Sequence, residues 1–254
     1  MRPPIIVGNW KMNKGLAEAI ALASGIVKEL RGINDRDIVL CPPLTALYKV
    51  SEILDGSKIK LGAQNLFYEE NGAYTGEISA NQLTDIGCKY VIIGHSERRQ
   101  ILKEDDTIIN KKIKQALKYN LCPIFCVGET KEQRENGKET EVVENQIRLG
   151  LKDIFHFPLP TSHFPLIIAY EPVWAIGTGN TCKEEDAEKM HIFIRSLISN
   201  LYTKDLAEGI RILYGGSVKP DNIDAIMKMK NIDGVLVGGA SLNIESFCRI
   251  VEYV

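Results

Sequence analysis

The sequence predicts an α/β chain of the (β/α)8 barrel class. Three observations lead there: eight short apolar, β-branched runs, intervening stretches with apolar residues three and four apart, and a length of 254 residues. Parallel strands buried on both faces read as continuous apolar runs, and strand followed by helix, repeated, is the pattern of a parallel barrel. A length of roughly 250 residues suits one such barrel. An open doubly wound sheet with extra strands is the structural competitor.

Each element has its own signal. Ile5–Val7 is the first apolar run, followed by Gly8-Asn9-Trp10-Lys11 and by the stripe Leu16-Ile20-Ala23-Val27-Leu30, spaced for an amphipathic helix. Ile38–Cys41 and Ile59–Gly62 are the second and third runs, and the polar, glycine-containing segment Gln64 to Glu77 follows the third. Tyr90–Ile93 runs into Gly94-His95-Ser96-Glu97-Arg98-Arg99, where Ser96 to Arg99 reads as the first turn of a helix. Ile108-Ile113-Leu117 has helical spacing. Pro123–Val127 is the fifth run, and the charged stretch Glu129 to Glu141 reads as a solvated loop and helix start. The three prolines of Phe155 to Pro165 forbid a regular helix, which predicts a surface loop there. Leu166–Tyr170 ends at Glu171, Ile210–Tyr214 at Gly215-Gly216-Ser217, and Gly234–Val237 at Gly238-Gly239-Ala240-Ser241. No Gly/Ser-rich or Pro-rich linker divides the chain, so residues 1–254 are expected to form one domain.

Composition narrows the function classes. Hydrophobic residues at 44% and charged residues at 25% are those of an ordinary globular protein. A net charge of -2 and a pI near 6.1 give no reason to expect nucleic acid or a membrane surface as partner. Met1-Arg2-Pro3-Pro4 enters a strand-like run at once, without a charged region and apolar core to act as a signal, and no apolar run approaches the roughly 18 residues of a membrane helix. A cytoplasmic protein is expected. The six cysteines are scattered and form no CxxC pair, so reduced, packed thiols are expected rather than disulfides or a zinc site. His156 and His163 lack acidic or thiol partners nearby, and no metal site is expected.

Chemistry in such a barrel belongs just beyond the C-terminal ends of the strands. There, Glu171 closes an apolar strand, and burial disfavours the charged form of a carboxylate, which suits it to general-base work. Pro172 stiffens one end of the segment that follows and glycines loosen the other, while Val173, Trp174 and Ile176 give it an apolar underside, the makings of a lid. His95 stands at a helix start, whose free N–H groups can donate to its ring and keep it neutral. Asn9 and Lys11 lie two apart after the first run and share a face. Glycines after the seventh and eighth strands let backbone N–H groups approach an anion closely, at the usual phosphate site of these barrels. Neither loop fits GxxxxGK[ST], and Gly177-Thr178-Gly179-Asn180-Thr181-Cys182 misses GxGxxG at its last position, which speaks against a nucleotide.

Taken in order, Gly8-Asn9-Trp10-Lys11-Met12-Asn13, Gly94-His95-Ser96-Glu97-Arg98-Arg99, Ala169 to Gly179, Tyr214-Gly215-Gly216-Ser217-Val218 and Gly238-Gly239-Ala240-Ser241-Leu242 resemble the triosephosphate isomerase family. The resemblance covers essentially the whole chain. It implies interconversion of dihydroxyacetone phosphate and D-glyceraldehyde 3-phosphate without metal or organic cofactor. Glu171 would take a proton from the carbon beside the carbonyl, and neutral His95 would donate to the oxyanion of the enediolate, an arrangement for which this family is the standard worked case. Lys11 and Asn9 would add positive charge and a hydrogen bond, with Ser96 beside them and Glu97 as a buried acid near Lys11. The N–H groups of Gly177, Ser217, Gly238 and Gly239 would hold phosphate. The lid would be Pro172, Val173, Trp174, Ala175, Ile176, Gly177 and Thr178, closing to exclude water. The resemblance further implies a homodimer in which Tyr74 and Thr75 tip a loop reaching into the partner. Asn180 departs from the lysine common at the far hinge, and Phe155 to Pro165 is longer and richer in proline than usual. Rival readings are another phosphate-binding barrel enzyme, such as a sugar-phosphate epimerase, which would lack His95 with Glu171, and a catalytically silent scaffold.

Overall fold

The computed structural model describes residues 2–154, 166–176 and 182–254. Eight parallel strands close into a barrel in sequence order: β1 (Ile5–Asn9), β2 (Asp37–Cys41), β3 (Lys60–Ala63), β4 (Tyr90–Ile93), β5 (Cys122–Val127), β6 (Ile167–Tyr170), β7 (Arg211–Tyr214) and β8 (Gly234–Val237). This is the (β/α)8 barrel the apolar runs predict, and each run lies within two residues of its strand at both ends. The open-sheet alternative fails at the seam, where β1 pairs with β8 in the register Ile5↔Gly234 to Gly8↔Val237. Gly234 permits that approach: at φ +155°, its missing Cβ would lie 1.9 Å from the Ile5 carbonyl oxygen.

Alternate residues of each strand serve two apolar layers, which is why the runs are continuous. Ile5, Val7, Val39, Cys41, Ile92, Ile124, Cys126, Ile167, Ala169, Leu213 and Leu236 fill the barrel. Their neighbours, among them Ile6, Leu40, Phe125, Ile168, Tyr170 and Val237, pack outward against the helices. One step further along the inward-facing series come Asn9, Gln64, Gly94, Gly128, Glu171, Gly215 and Gly238. This next level is therefore largely glycine, and the space above the apolar plug stays open.

The helices hold their predicted places with shifted faces. Leu16–Glu29 buries Ala19, Leu22, Ala23 and Ile26, whereas Leu16, which the apolar stripe placed on the core side, is 52% exposed. Small alanines set the buried face because they let the helix approach the sheet. In Asp106–Lys118 the buried apolar residues are Ile109, Ile113 and Ala116, one position round from the Ile108-Ile113-Leu117 series. All six cysteines are free thiols. No helix among the described residues is long and apolar enough to cross a membrane. The Phe155 to Pro165 stretch, with His156 and His163, and the hinge residue Asn180 lie outside the described residues.

Candidate active site

A cavity of about 290 Å³ opens at the C-terminal end of the barrel, lined by Asn9, Lys11, His95, Glu171, Ile176 and the glycine-rich ends of β7 and β8. A larger hollow of about 440 Å³ lies against the loop from Phe67 to Gln82, without a candidate catalytic pair. The smaller cavity holds the chemistry.

Glu171 follows β6 with the inward parity of Ile167 and Ala169, so its side chain meets the cavity floor and is 2% exposed. Its backbone is pinned: the Glu171 N–H donates to the Val127 carbonyl at 2.7 Å. A Cβ on Gly128 would sit 1.8 Å from the Glu171 carbonyl oxygen, and one on Gly215 would sit 2.9 Å from its Cγ. Any side chain on either flanking strand would therefore displace the acid. Oε2 accepts the Ser96 N–H at 2.8 Å, and Oε1 lies 3.0 Å from His95 Nε2. That second contact is close but off the N–H axis, leaving Oε1 without an aligned donor. The Cys126 thiol beneath stays protonated, pushed well above its ordinary pKa by burial and then by the nearby Glu171 charge.

His95 caps the short helix Ser96–Gln100, and its Nδ1 accepts the Glu97 N–H at 3.3 Å. A backbone N–H only donates, so Nδ1 carries a lone pair, the proton sits on Nε2, and the ring is neutral. Glu97 Oε2 also approaches Nδ1, but only to 3.5 Å, so the nearer backbone donor decides the tautomer. Arg99 fixes this corner, donating from Nε to the Gly94 carbonyl at 2.8 Å and from a terminal nitrogen to the Cys126 carbonyl at 3.1 Å.

Lys11 adopts φ +52°, a left-handed conformation unusual for a residue with a side chain. It is held there from two directions: Asn9 Oδ1 accepts its N–H at 3.1 Å, and Gln64 Nε2 donates to its carbonyl at 2.9 Å. Such strain persists only where surroundings over-determine it. Lys11 Nζ pairs with Glu97 Oε1 at 2.6 Å. The side chain of Glu97 is 46% exposed, which corrects the expectation of a buried acid. The pair sits on the cavity rim, so its net strength is small.

Ser217, Gly238 and Gly239 line the same cavity. A Cβ on Gly238 would meet Lys11 Cε at 3.4 Å, whereas one on Gly239 would meet nothing within 4 Å. Gly239 begins the 3-10 turn Gly239–Leu242, so the first N–H groups there lack intrahelical acceptors. Of the lid, Val173–Ala175 forms a 3-10 turn, while Gly177 and Thr178 lie outside the described residues.

Sequence reasoning missed Glu129. The run of charge from Glu129 to Glu141 predicts a solvated stretch, yet Glu129 is fully buried. Its carboxylate accepts from Tyr170 Oη at 3.1 Å and from Trp174 Nε1 at 2.8 Å, and lies 3.2 Å from Arg134. Its carbonyl accepts the Val173 N–H at 3.2 Å, and the Arg134 guanidinium covers the Trp174 ring at 4.6 Å. One carboxylate thus ties the residue before Glu171 to the first turn of the lid. Burial, then the Glu129 charge, pushes the Tyr170 hydroxyl well above its ordinary pKa, so it remains a donor. The available signal was position: Glu129 stands two residues beyond β5, at the catalytic end of the barrel.

Comparison with known proteins agrees with the residue pattern. A family model described as "Triosephosphate isomerase" matches residues 4–254. A triosephosphate isomerase from Finegoldia magna is 52% identical over 256 residues, covering 100% of this chain and 99% of the relative. One from Roseiflexus sp. is 50% identical over 254 residues, covering 100% and 98%. Among solved structures, triosephosphate isomerase from Bartonella henselae superposes with a TM-score of 0.88 at 36% identity, with 98% of each chain covered.

Proposed function

The chain belongs to the triosephosphate isomerase family, and we propose that Glu171, His95, Lys11 and Asn9 carry its reaction. The activity is the interconversion of dihydroxyacetone phosphate and D-glyceraldehyde 3-phosphate; the sugar-phosphate epimerase and scaffold alternatives are not favoured. In the proposed assignment, Glu171 removes a proton from the carbon next to the carbonyl, giving an enediolate and a neutral carboxylic acid. His95 Nε2–H donates to the oxygen where charge develops and moves a proton between the two oxygens. Glu171 then returns its proton to the neighbouring carbon, and the enzyme is regenerated. The Lys11 ammonium opposes the developing charge while the Asn9 amide orients Lys11 and the substrate. One observation carries this reading: a buried carboxylate whose Oε1 lies 3.0 Å from His95 Nε2, at the floor of a cavity of about 290 Å³.

Phosphate is assigned to the N–H groups of Ser217, Gly238 and Gly239, supported by their place on the wall of the same cavity as Glu171, and to Gly177, outside the described residues. We assign the lid to Pro172 through Thr178. A homodimer is supported by exposed apolar side chains gathered near Lys11, with Met12 at 96% and Leu44 at 52% exposure beside a hollow of about 300 Å³. The segment from Glu69 to Glu77 is exposed throughout, and Tyr74 at its tip packs on Phe67 at 4.6 Å; Tyr74 and Thr75 are proposed to enter the partner's hollow. A cytoplasmic location, in a single domain, completes the proposal.

The test is Glu171→Gln in a coupled isomerase assay. Loss of the base is expected to lower turnover by about 10²–10⁴-fold with the fold retained. Near-normal turnover would remove the assignment.

A further inference from the structure

The wall of the reaction cavity carries three charged side chains, Lys11, Glu171 and Lys219, and only the first two have a part in the proton transfer proposed above. Lys219 ends the stretch Ser217-Val218-Lys219 beyond β7. Val218 is buried and anchors the stretch, while Lys219 is exposed at the edge of the cavity. Asn222 braces the stretch at both ends: its Oδ1 accepts the Lys219 N–H at 2.8 Å, and its Nδ2 donates to the Ser217 carbonyl at 3.0 Å. The lysine therefore rides on the same braced turn as a residue assigned to phosphate.

Without Lys219 the charges do not suit a phosphorylated triose. Lys11 already pairs with Glu97 at 2.6 Å, and buried Glu171 adds a carboxylate, so these three groups leave an excess of negative charge. A phosphate monoester brings about −1.5 to −2 more at pH 7. The backbone N–H groups assigned to it are neutral. Among the described residues, Lys219 is the cavity-lining cation that no carboxylate neutralises. We infer that Lys219 is a second cation for the substrate's phosphate, acting from the cavity rim to draw in the dianion and to hold it against Ser217, Gly238 and Gly239. The inference rests on the reading of the site given above. The phosphate keeps its charge while the proton moves at carbon, so Lys219 favours the ground state and the transition state alike. Its contribution then falls on KM rather than on turnover.

The experiment is steady-state isomerisation of D-glyceraldehyde 3-phosphate by the full chain and by Lys219→Gln, Lys219→Glu and Lys219→Arg, from low salt to about 1 M, where the screening length is roughly 3 Å. At low salt kcat/KM is expected to fall about threefold when the charge is removed and about tenfold when it is reversed, since reversal changes the charge by two units. Lys219→Arg is expected to keep the parental value. The losses are expected to fade as salt rises and to be absent with D-glyceraldehyde, which has no phosphate to attract. Parental kcat/KM in Lys219→Glu at low salt, a loss that persists at high salt, or an equal loss on D-glyceraldehyde would each overturn the proposal. Retained turnover in Glu171→Gln would instead overturn the underlying reading of the site, so the two failures are distinguishable.

Discussion

Shortening Glu171 to aspartate withdraws the carboxylate by one carbon–carbon bond, about 1.5 Å, from a site whose backbone cannot follow. The Glu171 N–H is committed to Val127 at 2.7 Å, and Gly128 already stands so close that its absent Cβ would fall 1.8 Å from the Glu171 carbonyl oxygen. The present contact of 3.0 Å to His95 would lengthen, and the carboxylate would fall short by a similar amount of the substrate carbon it is proposed to deprotonate. A misplacement of 1 Å costs about 10²-fold, so Glu171→Asp is expected to lose between about 10² and 10³ in turnover, or about 3–4 kcal/mol of barrier. The assay is steady-state isomerisation at saturating and at low substrate, with a denaturant titration in parallel. The loss should appear mainly in turnover, with the unfolding midpoint close to that of the parent. Turnover within about threefold of the parent, in a protein of unchanged stability, would refute the claim that carboxylate reach is what the pinned backbone protects.

Glu129→Gln keeps the shape but removes the charge that Arg134 faces and turns one acceptor into a donor against Tyr170 or Trp174. A loss of about 2–4 kcal/mol is expected from a broken buried charged network, with a change in Trp174 fluorescence; an unfolding midpoint like the parent's would contradict the network. Gly128→Ala drives a methyl into the Glu171 carbonyl, and about 3 kcal/mol of overpacking cost is expected together with lost turnover; an active, fully stable variant would show that the strand can move aside. His191 is fully buried with Nδ1 donating to the Asn231 carbonyl at 3.2 Å, and burial lowers its pKa from 6.5 to about 3. The unfolded chain binds the proton first as pH falls, so this contribution is intact above about pH 6.5 and lost progressively down to about 3, amounting to about 3 kcal/mol by pH 4.5. His191→Asn should flatten urea midpoints measured across that window, and an unaltered slope would assign acid sensitivity elsewhere.

The barrel was legible because its strands are apolar on both faces, and Tyr90–Ile93 and Gly234–Val237 coincide with the predicted runs. Helix faces were less so. Spacing gives the period but not the phase, and in Leu16–Glu29 the phase follows Ala19 and Ala23, whose small size is a packing fact rather than a hydropathy signal. Asn9, Lys11, His95 and Glu171 could be read because each stands at or just beyond the end of a strand, and the structure brings all four to one cavity. Glu129 also stands just beyond a strand, but its burial comes from Tyr170 of β6 and Trp174 of the lid, both remote in sequence. The exposure of Glu97 depends on which way a short helix turns, and that is settled only by where Lys11 is held.

The level above the apolar plug, where glycine stands at Gly94, Gly128, Gly215 and Gly238, gives the molecule a modular character. Cohesion is supplied below by Ile, Val, Leu and Cys side chains, most of which lie outside the reaction cavity, so the acid can be replaced without unbuilding what supports it. Reprogramming such a chain toward another transformation would begin by furnishing these vacant stations, and the first obstacle would be crowding of Glu171 rather than collapse of the scaffold.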